Sequence, residues 1–124
     1  MIIYLGKISV VLRRLDKQEY ISDDEVLEFR QNEIAFYWKL KIIFHDGSVL
    51  FSKEYIAGNL RKYAFHGQSA EGDLNILWDN APHYPHILTY PHHKHLKTEE
   101  NVKESNDISL EEVLAYILGQ IKVG

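Results

Sequence analysis

The 124-residue chain has no cysteine, which excludes disulfides and thiolate metal ligands. That usage fits a reducing compartment, and a cytoplasmic location is the expectation. No apolar run is long enough to span a membrane. The apolar residues 1–15 are interrupted by Lys7, Arg13 and Arg14, and no small-residue cleavage site follows them, so they read as structure and not as a signal peptide. An overall excess of basic charge is also missing. Lysine and arginine total 14 against 18 aspartates and glutamates, for a net charge of −4, which excludes a chain that grips nucleic acid by its charge as a whole. Proline is scarce, and its three copies, Pro82, Pro85 and Pro91, all lie within residues 78–95.

What is present supports a folded domain. Apolar residues make up 45% of the chain, enough for a core without staples. There is no internal repeat, low-complexity tract or linker, so residues 1–124 are expected to form one domain. Acidic residues crowd two regions, from Asp16 to Glu33 and from Glu99 to Glu112. The middle of the chain is more basic, so a local positive patch is open to it.

The clearest element is residues 34–44. Ile34, Phe36, Trp38, Leu40, Ile42 and Phe44 fall on one face at period two, which describes a strand with one face on a core. Asp46-Gly47 is a hairpin signal, and residues 49–56 form the return strand. Gly58-Asn59 turns the chain into an alternating stretch over residues 60–68. A further turn leads to Leu74, Ile76 and Trp78 on one strand face. Before these, residues 25–30 alternate as a short strand, and residues 16–24 read as a loop. Ile8, Val11, Leu12 and Leu15 have helical spacing, so a helix is expected over residues 2–15. Ser109-Leu110-Glu111-Glu112 is a capping box that opens a second amphipathic helix through Leu114, Ile117 and Ile121. The expected fold is α+β: an antiparallel meander of about five strands, packed on one face by N- and C-terminal helices.

Residues 78–95 hold five of the seven histidines together with the prolines, and read as a rigid, chemically equipped loop. If the strands on either side of residues 69–72 pair, His66 and Gln68 come within a few residues of Asp79. The loop then returns His83, His86, His92, His93 and His95 to the same region. Two chemistries suit this set. Imidazoles near neutral pH can act as base and acid in RNA cleavage, one taking the ribose 2′-hydroxyl proton and one protonating the leaving oxygen. Lys94 or Arg61 would stabilise phosphate charge, and Tyr84, Tyr90 or Trp78 would stack on bases. The other chemistry is metal binding: His93 and His95, at i, i+2, share a face if the segment is extended, His83 and His86 are spaced i, i+3, and three imidazoles, or two with Asp79, would suit zinc. The plainer readings are that Trp78 is a core residue, and that Asp79 and Asn80 only cap a turn.

Residues 78–83, Trp-Asp-Asn-Ala-Pro-His, and residues 89–95, Thr-Tyr-Pro-His-His-Lys-His, resemble the signature of the TumE-like toxins of toxin–antitoxin modules. Tyr63-Ala64-Phe65-His66-Gly67-Gln68 is similar to that family's Tyr-x-Tyr-His-Trp-Gln stretch, and Glu54 falls where the family tends to carry Glu. The resemblance runs from about Val49 to Ile121. It implies a growth-inhibiting toxin with a cognate helix-turn-helix antitoxin as partner and a ribonuclease-type activity on RNA. It also implies catalytic roles among His66, Asp79, His83, His92, His93 and His95, with substrate contacts from Gln68, Trp78, Asn80, Tyr84 and Lys94. No cofactor is expected on this reading, zinc being the alternative, and a homodimer is open. The chain departs from the family at Gly67, where Trp is common, and at Leu77, where Arg is common. Two alternatives use the same residues: a metal-dependent phosphoesterase, and a non-enzymatic module that binds a partner protein.

Overall fold

The computed structural model describes residues 19–123. The helix expected over residues 2–15 lies outside the described residues. Among those described, seven strands and one helix occur: β1 (Ile21–Gln31), β2 (Ala35–Phe44), β3 (Val49–Ala57), β4 (Leu60–Gln68), β5 (Leu74–Asp79), β6 (His93–Leu96), β7 (Val102–Glu104) and α1 (Leu110–Val123). The strands form one sheet in sequence order, every neighbouring pair antiparallel. The expected meander is therefore present, with two more strands than the expected five.

β2 shows why the meander forms. Its large apolar residues, Phe36 to Phe44, are buried at every second position, while Tyr37, Lys39, Lys41 and Ile43 on the other face are half-buried. Ile34, expected on the buried face, precedes the strand and is 78% exposed. Leu50, Tyr63, Phe65, Ile76 and Trp78 continue the buried face across β3, β4 and β5. α1 covers it with Leu110, Val113 and Leu118. The capping box closes as expected: the Glu112 amide donates to Ser109 Oγ at 3.2 Å, and the Ser109 amide donates to the Glu112 carboxylate at 3.2 Å.

Three expectations need correction. β1 begins at Ile21, inside the stretch read as a loop. Register shifts between Ile21 and Asp23 and between Val26 and Glu28 break its alternation, so Val26 and Phe29 share a face although they are three residues apart. The polar run Ser22-Asp23-Asp24 is tolerated because β1 is an edge strand among the described residues. β6 lies inside the segment read as a loop, and β7 inside the stretch after His95 read as irregular. Imidazoles and a lysine hid β6, because its buried positions are histidines, whose Nδ1 atoms are held by carbonyls.

Gly67 explains one departure from the family pattern. It is buried under α1, and a Cβ there would meet Ile76 O at 3.5 Å, Ile76 Cγ2 at 3.6 Å and Ile117 Cδ1 at 3.9 Å. Alanine fits this space, whereas an indole does not. Gly67→Trp is expected to lose about 1–3 kcal/mol through overpacking against Ile117, while Gly67→Ala stays close to wild type. Urea unfolding midpoints of the two variants check this, and equal midpoints would show that α1 moves aside at no cost.

Candidate functional site

The end of β5 carries the centre of the site, and side-chain alternation divides its surroundings into two faces. On the face away from α1, Asp79 pairs with His93 and Leu77 with His95, so Asp79, His93 and His95 project together. On the α1 face, Tyr63 of β4 lies beside Glu54 of β3. Residues 80–92 link β5 to β6 and bring Tyr84 to the first face and His92 to the second.

On the first face, His93 and His95 are 2% and 5% exposed. His93 Nδ1 pairs with Pro91 O at 2.9 Å and His95 Nδ1 with Glu99 O at 2.7 Å. A carbonyl only accepts, so each Nδ1 carries a proton, and in the neutral ring Nε2 offers a lone pair. His93 Nε2 is 3.7 Å from Asp79 Oδ1. Tyr84 packs edge-on against both rings, with centroids 4.8 Å from His93 and 5.8 Å from His95. Asp79 Oδ1 also accepts from the Ala81 amide at 2.6 Å, so part of its role is to turn the chain out of β5.

On the second face, Arg61 holds several partners. It reaches the Glu54 carboxylate at 3.3 Å, Asp107 at 2.6 Å and Ile108 O at 2.8 Å, and its guanidinium lies 4.4 Å from the Tyr63 ring centre. His92 stacks on Tyr63 and pairs Nδ1 with the Tyr63 hydroxyl at 2.8 Å, with Asp107 at 3.9 Å. Burial, reinforced by the Asp107 carboxylate against the pull of Arg61, pushes the Tyr63 phenol up to about 12, so it keeps its proton. Asn80 stitches the base of this cluster, accepting from the Tyr63 amide at 2.9 Å and donating to Arg61 O at 2.8 Å. Tyr63 and Arg61 border a cleft of about 1500 Å³ that reaches the first face, where Tyr37, Lys53, Tyr55, Lys62 and Asp79 line it, together with Arg30 and Tyr90.

The expected single site is thus split. His66 stands on the first face, where it pairs with Leu77, which in turn pairs with His95. With strands about 4.8 Å apart, His66 and His95 are roughly 10 Å apart across the ladder, and His92 is on the other face. Trp78 is 3% exposed and edge-on to Tyr116, so it belongs to the core and not to a base-stacking surface. Asn80 serves the backbone and Gln68 ends β4 beside α1, lining a separate pocket with Ile117 and Gln120. Lys94 points to the α1 side of β6, in the register of Trp78, away from His93 and His95. His83 and His86 are exposed on the loop. Glu54, Tyr63 and Asp107 were not expected to surround a histidine. Glu54 and Tyr63 are directly opposite in the β3–β4 register, a signal visible only once that register is known.

His66 stacks on Phe51, with ring centres 6.4 Å apart, and burial lowers its pKa from 6.5, although the Glu99 carboxylate pulls the other way. The folded chain therefore binds this proton less readily than the unfolded chain. Stability from this group is full above pH 6.5 and is lost as the pH falls from there to the lower folded value. Melting temperatures are expected to drop on acidification through that window. His66→Phe, which preserves the stack, is expected to flatten the drop, and an unchanged profile would assign the acid sensitivity to other groups.

Against known families, the model described as Toxin TumE matches residues 11–122. No curated protein and no solved structure matches the chain.

Proposed function

Because the chain belongs to the TumE toxin family, and is thus the toxin component of a toxin–antitoxin system, we propose that it acts by cleaving RNA, with His92 moving one of the two protons. The observation that carries this reading is the cleft that Arg61 and Tyr63 line, with His92 stacked on Tyr63 beside it. Four cations (Arg30, Lys53, Arg61 and Lys62) and four tyrosines (Tyr37, Tyr55, Tyr63 and Tyr90) line that cleft. Cations that track a phosphate backbone beside aromatic rings that stack on bases suit single-stranded nucleic acid. The acidic balance of the whole chain does not oppose this, since the positive charge is local.

In the reaction, a base takes the ribose 2′-hydroxyl proton, the 2′-oxygen bonds to phosphorus, and the 5′-oxygen leaves with a proton from an acid. His92 suits either transfer. Its Nδ1 is held by a phenol that can donate or accept, so Nε2 can present either a lone pair or a proton to the substrate. The other transfer falls to an exposed group, of which His83 on the same loop is the candidate. Arg61 would lend charge to the phosphate in exchange for its contact with the exposed Asp107. His93 and His95 are too buried to meet a ribose and are not assigned to proton transfer.

A cognate antitoxin of the helix-turn-helix type is the proposed partner. The cleft, with its cations, is the surface a neutralising acidic segment would cover. The direct test is incubation of purified protein with single-stranded RNA, without and with the antitoxin. Strand breaks suppressed by antitoxin support the reading. Intact RNA beside growth arrest in cells would move the activity to another target.

A further inference from the structure

We propose that Asp79, His93 and His95 bind one divalent zinc-class ion. This does not rest on RNA cleavage, because none of the three ligands is His92, although Asp79 also borders the cleft. The three side chains place one ligand atom each within 4.8 Å of one another. Zinc held at about 2.0–2.1 Å by imidazole and carboxylate needs tetrahedral ligand atoms about 3.3–3.5 Å apart. The His93–Asp79 separation of 3.7 Å is near that distance, and a small inward movement brings in the third ligand.

Three further features point to an ion. Both Nδ1 atoms are committed to backbone carbonyls, of Pro91 and Glu99, which is how metal-bound histidines are usually oriented from behind. That commitment aims both Nε2 lone pairs at one space. His93 Nε2 is buried with no hydrogen-bond partner, and it faces a carboxylate at a distance too long for a hydrogen bond. A lone pair opposed to a carboxylate is unfavourable unless a cation stands between them. Two imidazoles and one carboxylate, with no sulfur, suit zinc and leave a fourth position for a water. The ion would tie the last residue of β5 to β6. It would thereby fix both ends of residues 80–92, including the turn that presents His92.

The full chain is stripped with a chelator and titrated with zinc or cobalt(II). One zinc per chain, a raised melting temperature on zinc addition, and the intense visible bands of tetrahedral cobalt are expected. His93→Ala is expected to weaken zinc binding by more than roughly 100-fold, beyond what loss of an outer-shell partner costs. Should His93→Ala fold poorly, Asp79→Asn serves: it keeps an oxygen for the Ala81 amide but removes the charge, and it is also expected to bind zinc more weakly. Zinc binding of wild-type strength in either folded variant, or no binding and no melting shift in the wild type, would overturn the site. His92→Ala is expected to keep zinc while losing RNA cleavage, so the two assignments fail separately.

Discussion

His92→Ala is expected to reduce RNA cleavage by roughly 10²–10⁴-fold, the usual contribution of a positioned proton-transfer group, and to abolish growth arrest. The fold should survive, because His92 is only half-buried and sits outside the sheet, its imidazole bonded to the Tyr63 hydroxyl and its carbonyl, which alanine keeps, to Thr89 Oγ1. His66→Ala is the informative contrast. It lies on the other face of β4 and is expected to keep most activity despite its place in the sequence motif. Tyr63→Phe removes the hydroxyl that steers the imidazole yet keeps the stack, so it should lie between the two. Cleavage rates on one RNA substrate, with circular dichroism to verify folding, check the series. Full activity in His92→Ala would remove that residue from the chemistry.

Arg61→Ala is expected to be the most destabilising change near the site, by about 3–5 kcal/mol, since it leaves Glu54 unpaired. Glu54 is 5% exposed, and the guanidinium is the ion-pair partner found for its carboxylate. The same change frees Asp107 and the Ile108 carbonyl at the entry to α1, so the last turn before the helix should loosen too. Arg61→Met combined with Glu54→Leu removes both charges and is expected to recover much of the loss, as apolar replacements of buried pairs do. Neither form should cleave RNA well, because both lose the cation. Urea unfolding separates these outcomes. A single variant as stable as wild type would mean that Glu54 is protonated or solvated.

The two results would divide the polar cluster into parts with different duties. Arg61 and Glu54 hold β3, β4 and the start of α1 together, while the buried Tyr63 steers His92. The His92 side chain is 26% exposed against 7% for Glu54, so the imidazole meets solvent and the carboxylate does not.

Much of this protein was determined by its sequence alone. Period-two burial in β2, the Asp46-Gly47 turn and the Ser109–Glu112 capping box are local patterns, set by side-chain alternation and short-range hydrogen bonds, and each is found where the residues put it. The motif blocks identified the family, whose match spans residues 11–122. The location of β6 could not be read the same way. Its strand character comes from pairing with β5, which is tertiary, and its histidines are held by the nearby carbonyls of Pro91 and Glu99. The division of the histidines was equally hidden. Adjacent residues of an extended segment point to opposite sides, so His92 and His93 are neighbours in the chain yet lie with Tyr63 on one face and Asp79 on the other. Composition showed that imidazoles gather in residues 78–95. Only the register of β4, β5 and β6 decided which of them are buried beside a carboxylate and which one leans on a tyrosine at the mouth of a cleft.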